Sequence, residues 1–279
     1  MPATSDTFND IGFLAQDLVG WTKMVRAEFS EQFELADDMN RLAMRVMFAI
    51  PVEEIDDSRA FAAATFGRAV QSFQTTILLA ERGALAEARA LVRLCCEGVI
   101  AVAGLLTVPG TCDKFREDNA RHQRAVANSM LQAPGDYSLT TGQVERMQEV
   151  VAAVDAEYPN GTTSIKWEPL AKASDTHSLY QIAYRLTSGD GAHVTVGSMS
   201  RNVIDGDDGT LGFRFHPDKS DLAETLFTAT ASLIQLLGFA VERMGVVSFR
   251  EEVEAMSKRW QSIGHPNDRQ ALQACGPKP

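Results

Sequence analysis

The sequence predicts an all-α protein: one helical bundle of about eight helices with a single long Gly-rich loop and room in it for one short strand. Three observations lead there. Apolar residues recur at helical spacing along most of the chain. Helix start and stop signals punctuate these runs at short intervals. No repeat and no linker divides the 279 residues, so residues 1–262 read as one bundle domain and 263–279 as a flexible C-terminal tail.

The elements follow in order. From Ile11 to Ile50 the apolar side chains Phe13, Leu14, Leu18, Trp21, Val25, Phe29, Phe33, Leu42 and Val46 keep helical spacing, with a break near Ser30 and a stop at Pro51. Asp57 or Ser58 is a good N-cap for the second helix, and Gly83 a C-terminal cap after Arg82. A third helix, Ala84 to Leu106, follows so closely that the pair reads as one kinked rod or an antiparallel hairpin. Thr111 starts a fourth, highly charged helix, and Pro134-Gly135-Asp136 turns the chain. Thr140 and Gln143 form a capping box for a fifth helix that ends before Pro159. Trp167 and Pro169 fall in a loop. Ser174 can cap a sixth helix through Tyr180 and Tyr184 to about Ser188. Residues 188–219 hold six glycines and read as irregular, with Leu211 to Phe215 as the one short strand. Ser220 opens a seventh, strongly apolar helix to Val247, and Ser248 with Glu251 is a capping box for an eighth to about Trp260.

Charge and termini narrow the function classes. The net charge of −11 repels phosphate over most of the surface and speaks against a general DNA-coating role, while leaving room for a local basic groove. Met1 to Asp10 carries two acids and no basic run, so no signal peptide is expected. The apolar stretch Gly98 to Gly110 is shorter than the ~20 residues of a membrane span, and Leu226 to Val247 is interrupted by Gln235, Glu242 and Arg243. The expectation is a soluble cytoplasmic protein without membrane contact. Cys95, Cys96, Cys112 and Cys275 form no CxxC pair and read as small hydrophobes in a reduced core rather than metal ligands. No phosphate loop, dinucleotide glycine fingerprint, nucleophile elbow or zinc motif is present, so no cofactor and no metal are expected.

Four constellations carry chemistry. Arg89, Arg93 and Glu97, spaced by four, share one face of an otherwise apolar helix. In a core these charges must be paired; a structural ion pair joining two helices is the bland reading, a functional centre the sharper one. Tyr180 and Tyr184 lie one turn apart, with Ser188 and His193 beyond; a histidine near a helix C-terminus beside a phenol can act as acid or base, or simply bond to backbone. Asp205, Asp207 and Asp208 lack the closing Glu of a calcium loop and read as a solvated turn. Arg116 and His122 match an Arg-x5-His spacing on a helix whose charged face is otherwise plainly solvated.

Two of these stretches together resemble a bacterial family of helical proteins known only as a domain of unknown function. The resemblance rests on Gly83, Ala88, Leu91, Arg93 and Glu97, then on Trp167, Tyr180, Tyr184, Ser188 and His193, and covers roughly residues 66–220. The Ser–His spacing departs from the family pattern, stretched by Gly189-Asp190-Gly191. It implies an all-helical fold and no established activity. That architecture is in turn similar to HEPN-type proteins, helical bundles that often dimerise and often cleave RNA without a metal through Arg, four to six residues, then His. Arg185 to His193 misses that spacing by one residue; Arg116 to His122 fits it at another place.

The expected function is therefore a non-enzymatic binding or regulatory module, forming a homodimer through an apolar helix. Arg93, Glu97, Tyr184 and His193 would form its polar centre and be the candidates for any catalysis, and Arg89, Trp167, Tyr180 and Ser188 would contact a small ligand or protein partner. The alternative is a metal-independent RNase or toxin of HEPN type, with His193 or His122 as acid and base and RNA as partner. A metal held by Glu97 and His193 is the third and weakest option.

Overall fold

The computed structural model describes residues 7–51, 53, 56–185, 187, 195–205 and 210–264. It is mostly helical, 77% helix and 2% strand, with twelve α-helices among the described residues rather than about eight. The surplus comes from short helices that periodicity cannot resolve. The first apolar run divides into α1 (Phe8–Ile11), a 3-10 turn (Gly12–Leu14), α2 (Leu18–Glu28) and α3 (Ser30–Ala49), with the break at Phe29 beside the expected Ser30.

Helices α4 (Asp57–Glu81) and α5 (Leu85–Thr107) form an antiparallel hairpin, not a kinked rod. Asp56, one residue before the expected cap, accepts a hydrogen bond from the Arg59 N–H at 2.8 Å. Gly83 turns the chain in the left-handed region (φ 77°), and a Cβ there would stand 2.7 Å from the Asp218 backbone nitrogen. Gly98 and Ala69, nearly equidistant from that turn, meet so closely that a Cβ on Gly98 would lie 2.7 Å from the Ala69 methyl. Small residues thus let α5 sink against α4.

Helices α6 (Thr111–Gln132) and α7 (Thr141–Glu157) make a second hairpin at the periphery. The expected capping box forms, with Gln143 accepting from the Thr140 N–H at 2.9 Å. Val154 is the one buried residue of α7, so this hairpin is held mainly by α6 and by ion pairs such as Arg124–Asp155.

The segment read as a loop around Trp167 and Pro169 is a helix, α8 (Trp167–Ala173). Proline is tolerated in a first turn because its missing N–H is one that no intrahelical carbonyl would bind. Ser174 ends α8 instead of capping the next helix; its hydroxyl donates back to the Leu170 carbonyl at 2.8 Å. A short α9 (His177–Leu179) leads into a π-helical turn, Tyr180–Tyr184. Then come α10 (Val196–Ser200) and two strands where one was expected, β1 (Val203–Asp205) and β2 (Leu211–Phe213), antiparallel with Val203 opposite Phe213.

The core helix α11 (Leu222–Arg243) and α12 (Arg250–Ile263) complete the bundle. The expected capping box at Ser248 does not form: Val247–Phe249 is a 3-10 turn, and Phe249 precedes α12 without a side-chain cap. Leu226, Leu236 and Leu237 of α11 are fully buried against Phe66 and Phe73 of α4, Phe33 and Met39 of α3 and Val99 of α5. By length and composition alone, α5 and α11 are apolar enough to cross a membrane, with mean hydropathy 1.8 and 1.4. Over half of each apolar window is buried in the bundle, as in a core helix.

Cys95, Cys96 and Cys112 are buried free thiols. Burial pushes the Cys96 thiol up to about 12 and raises Cys95, so neither supplies thiolate at neutral pH. Ser188, His193, Asp207, Asp208 and Cys275 lie outside the described residues.

Candidate functional site

The polar centre is built on α5 by a four-residue repeat. Arg89, Arg93 and Glu97 point to one side of the helix because 3.6 residues make a turn. Their surroundings differ. Arg89 is 5% exposed, and its Nη1 lies 3.9 Å from Glu224 Oε1 on α11. Arg93 and Glu97 are not sealed in a dry core as the apolar periodicity suggests; their side chains are 18% and 20% exposed. Arg89 meets Glu224 at the start of α11, whereas Arg93 meets the π-turn through Tyr184. The ion pair joining two helices is therefore Arg89–Glu224, and Arg93–Glu97, at 3.2 Å, stays within α5.

Arg93 reaches out by another route. Its Nη2 donates to the Tyr184 hydroxyl at 3.0 Å, and its guanidinium lies 4.9 Å from the Tyr184 ring centroid. Positions 91 residues apart thus meet. Arg93 Nε is buried without a hydrogen-bond partner among the described residues.

A ladder of rings continues outward. Tyr184 stacks on Tyr180 with centroids 4.9 Å apart, and Tyr180 stacks on His177 at 6.3 Å and 11°. The π-turn carries this register, a conformation common at functional positions. The sequence reading looked to His193 and overlooked His177, although His177, Tyr180 and Tyr184 stand at i, i+3 and i+7, a spacing legible without coordinates. The Gln181 amide lies 2.9 Å from His177 Nε2, and Glu168 Oε1 lies 3.6 Å from the same nitrogen. Trp167 is not in the ladder; it packs edge-on to Phe115 at 6.4 Å, in an apolar cluster that also includes Tyr180 and Leu170.

The electrostatics favour holding protons. Burial raises the Glu97 carboxyl above the usual carboxylate range, with Arg93 pulling the other way. Burial likewise raises the Tyr184 phenol, against the same guanidinium. At neutral pH Tyr184 keeps its proton and serves as a hydrogen-bonding group, since a general base needs a pKa near the working pH. The Arg116–His122 pair is differently placed. Arg116 is engaged by Asp57 and Asp113, and His122 is exposed on the solvated side of α6.

A family model described as a family of unknown function, DUF5677, matches residues 59–210. The chain belongs to that family. The DUF5677 match runs from α4 to the residue before β2, so it contains Arg89, Arg93, Glu97, Tyr180 and Tyr184 but not Glu224 on α11. The DUF5677 region therefore holds the whole Arg93–Tyr184 contact, and the chain beyond it supplies Glu224, which pairs with Arg89. Neither a curated protein nor a solved structure matches the chain.

Proposed function

We propose that this DUF5677 protein is a non-enzymatic binding or regulatory module whose ligand or partner engages the Arg93–Glu97–Tyr184 centre, with Arg89 behind it and the Tyr180–His177 rings leading to it. The observation that carries this reading is the Arg93 guanidinium, shared between a carboxylate and a phenol whose proton affinities are both raised. Such a centre offers directed donors without a base poised for turnover. Native mass spectrometry of the purified protein, followed by thermal shift against a small-molecule panel, tests it. A copurified or added ligand should raise the melting temperature of wild type and not of Arg93→Met. No ligand and no partner, with Arg93→Met as stable as wild type, would remove the reading.

The alternative remains an RNase of HEPN type using His193 or His122. Total RNA left intact at high protein concentration disposes of it; cleavage lost in His193→Ala or His122→Ala establishes it. We also infer a cytoplasmic homodimer. The apolar helices α5 and α11 are occupied by the core, so the supporting surface is the strand pair, where Leu211 and Phe213 are 76% and 75% exposed. Sedimentation equilibrium should give a dimer that Phe213→Glu dissociates; a wild-type monomer at all concentrations refutes it.

A further inference from the structure

Away from the Arg93 contacts, a cleft of about 560 Å3 opens between the start of α6 and the segment from Thr163 to Ala173. This falls within the range of roughly 300–1,000 Å3 typical of small-molecule sites. Its walls are largely hydrocarbon: Val108, Phe115, Ile165, Pro169 and Leu170. Phe115 is braced from behind by Trp167, and Leu170 by the close approach of α5 at Gly104, where a Cβ would stand 2.7 Å from a Leu170 methyl.

Two cations, Lys114 and Lys166, line the same cleft, and no acidic side chain does. The lysines that form ion pairs are Lys172 and Lys219; Lys114 and Lys166 form none among the described residues. The carboxylates nearest in sequence are already engaged. Asp113 pairs with Arg116 at 3.0 Å and Asp118 with Arg121 at 3.2 Å. Glu117 accepts from the Thr163 backbone N–H at 2.6 Å and from its hydroxyl at 2.9 Å, which pins the far wall to α6. In a chain of net charge −11, two ammonium groups and no carboxylate line this hydrocarbon cleft.

We propose that this cleft binds an apolar carboxylate: an acyl chain or flat ring system lies against Phe115, Ile165 and Leu170, and its carboxylate sits between Lys114 and Lys166. A polyphosphate or sugar would require hydrogen-bond donors along walls that are mainly carbon, and a neutral hydrocarbon would leave both ammonium groups unused. The site is separate from the Arg93 centre, so either can fail without the other.

Isothermal titration of the full chain with octanoate and with naphthoate, each at submicellar concentration, tests the assignment and separates chain from ring. At least one should bind, and octanol more weakly than octanoate. Lys114→Met with Lys166→Met should weaken binding by about tenfold or more, as the loss of two charge-assisted contacts implies. Ala173→Phe, at an exposed position of the rim, should block the cleft whether or not the lysine variant folds. Arg93→Met should bind as wild type. Failure of both carboxylates at millimolar concentration, equal binding of octanol, or an unchanged affinity in Ala173→Phe would each overturn the proposal.

Discussion

The Arg93 centre and the Lys114–Lys166 cleft lie on one helical framework and use charge in opposite ways. Arg93 is bound on two sides, by Glu97 and Tyr184, with Arg89 and Glu224 behind it. Lys114 and Lys166 border open volume and have no ionic partners among the described residues. A paired charge network fixes how elements pack, because groups partly taken from water must largely satisfy one another. Open cations over hydrocarbon cost the fold little and are available to something else. The most conspicuous charged motif of a sequence need not mark every surface of the fold that is open to a ligand.

Five variants test that difference. The largest effect is expected at Leu170, which walls the cleft and packs in the same apolar cluster as Tyr180. Leu170→Ala should destabilise by about 2–4 kcal/mol in urea denaturation, the usual range for a large-to-small change in a packed site. Arg93→Met should cost about 1–3 kcal/mol in the same assay, because Glu97 is left part-buried without its cation; no loss would show the centre to be slack.

Glu97 sets a pH dependence. Burial raises its carboxyl above the usual 4.5. A folded pKa above the unfolded one gives stability that is complete below the unfolded value and lost as pH rises through the folded value. Wild type should therefore lose stability across that window relative to Glu97→Gln, with a slope no steeper than ~1.4 kcal/mol per pH unit. Urea midpoints measured in steps from acid to neutral pH check this, and an opposite slope would show that Arg93 outweighs burial. Tyr184→Phe removes the hydroxyl that accepts from Arg93 and keeps the ring stack, so about 1 kcal/mol is expected from melting curves. The double change Lys114→Met with Lys166→Met should leave the melting temperature unchanged; a clear drop would mean that these lysines are structural and would erase the difference between the two regions.

Much of the scaffold was legible because its signals are local. The break near Ser30, the Gly83 turn, the Thr140 capping box and the extents of α4 to α7 each depend on residues within a few positions of one another. The errors were local signals with two outcomes. Pro169 marks a loop or a first helical turn; Ser174 can begin a helix or end one; Ser248 sits in a box whose geometry a 3-10 turn prevents. The strand Leu211–Phe213 was visible from its alternation, but its partner Val203–Asp205, although it opens with two strand-favouring residues, is only three residues long and too short to show a period of its own.

By itself the sequence determined that the chain is helical, that α4 and α5 are joined at a glycine turn, and that Arg89, Arg93 and Glu97 share one face. All of this follows from the 3.6-residue period and from backbone sterics. Only the tertiary structure decided that Arg89 is sealed while Arg93 is not, that Tyr184 is the group Arg93 meets, and that Lys114 and Lys166 flank one cleft. Those outcomes depend on how far each helix is rotated and where its neighbours end. These rigid-body quantities are set by close packing across the whole bundle, and no local window of residues contains them.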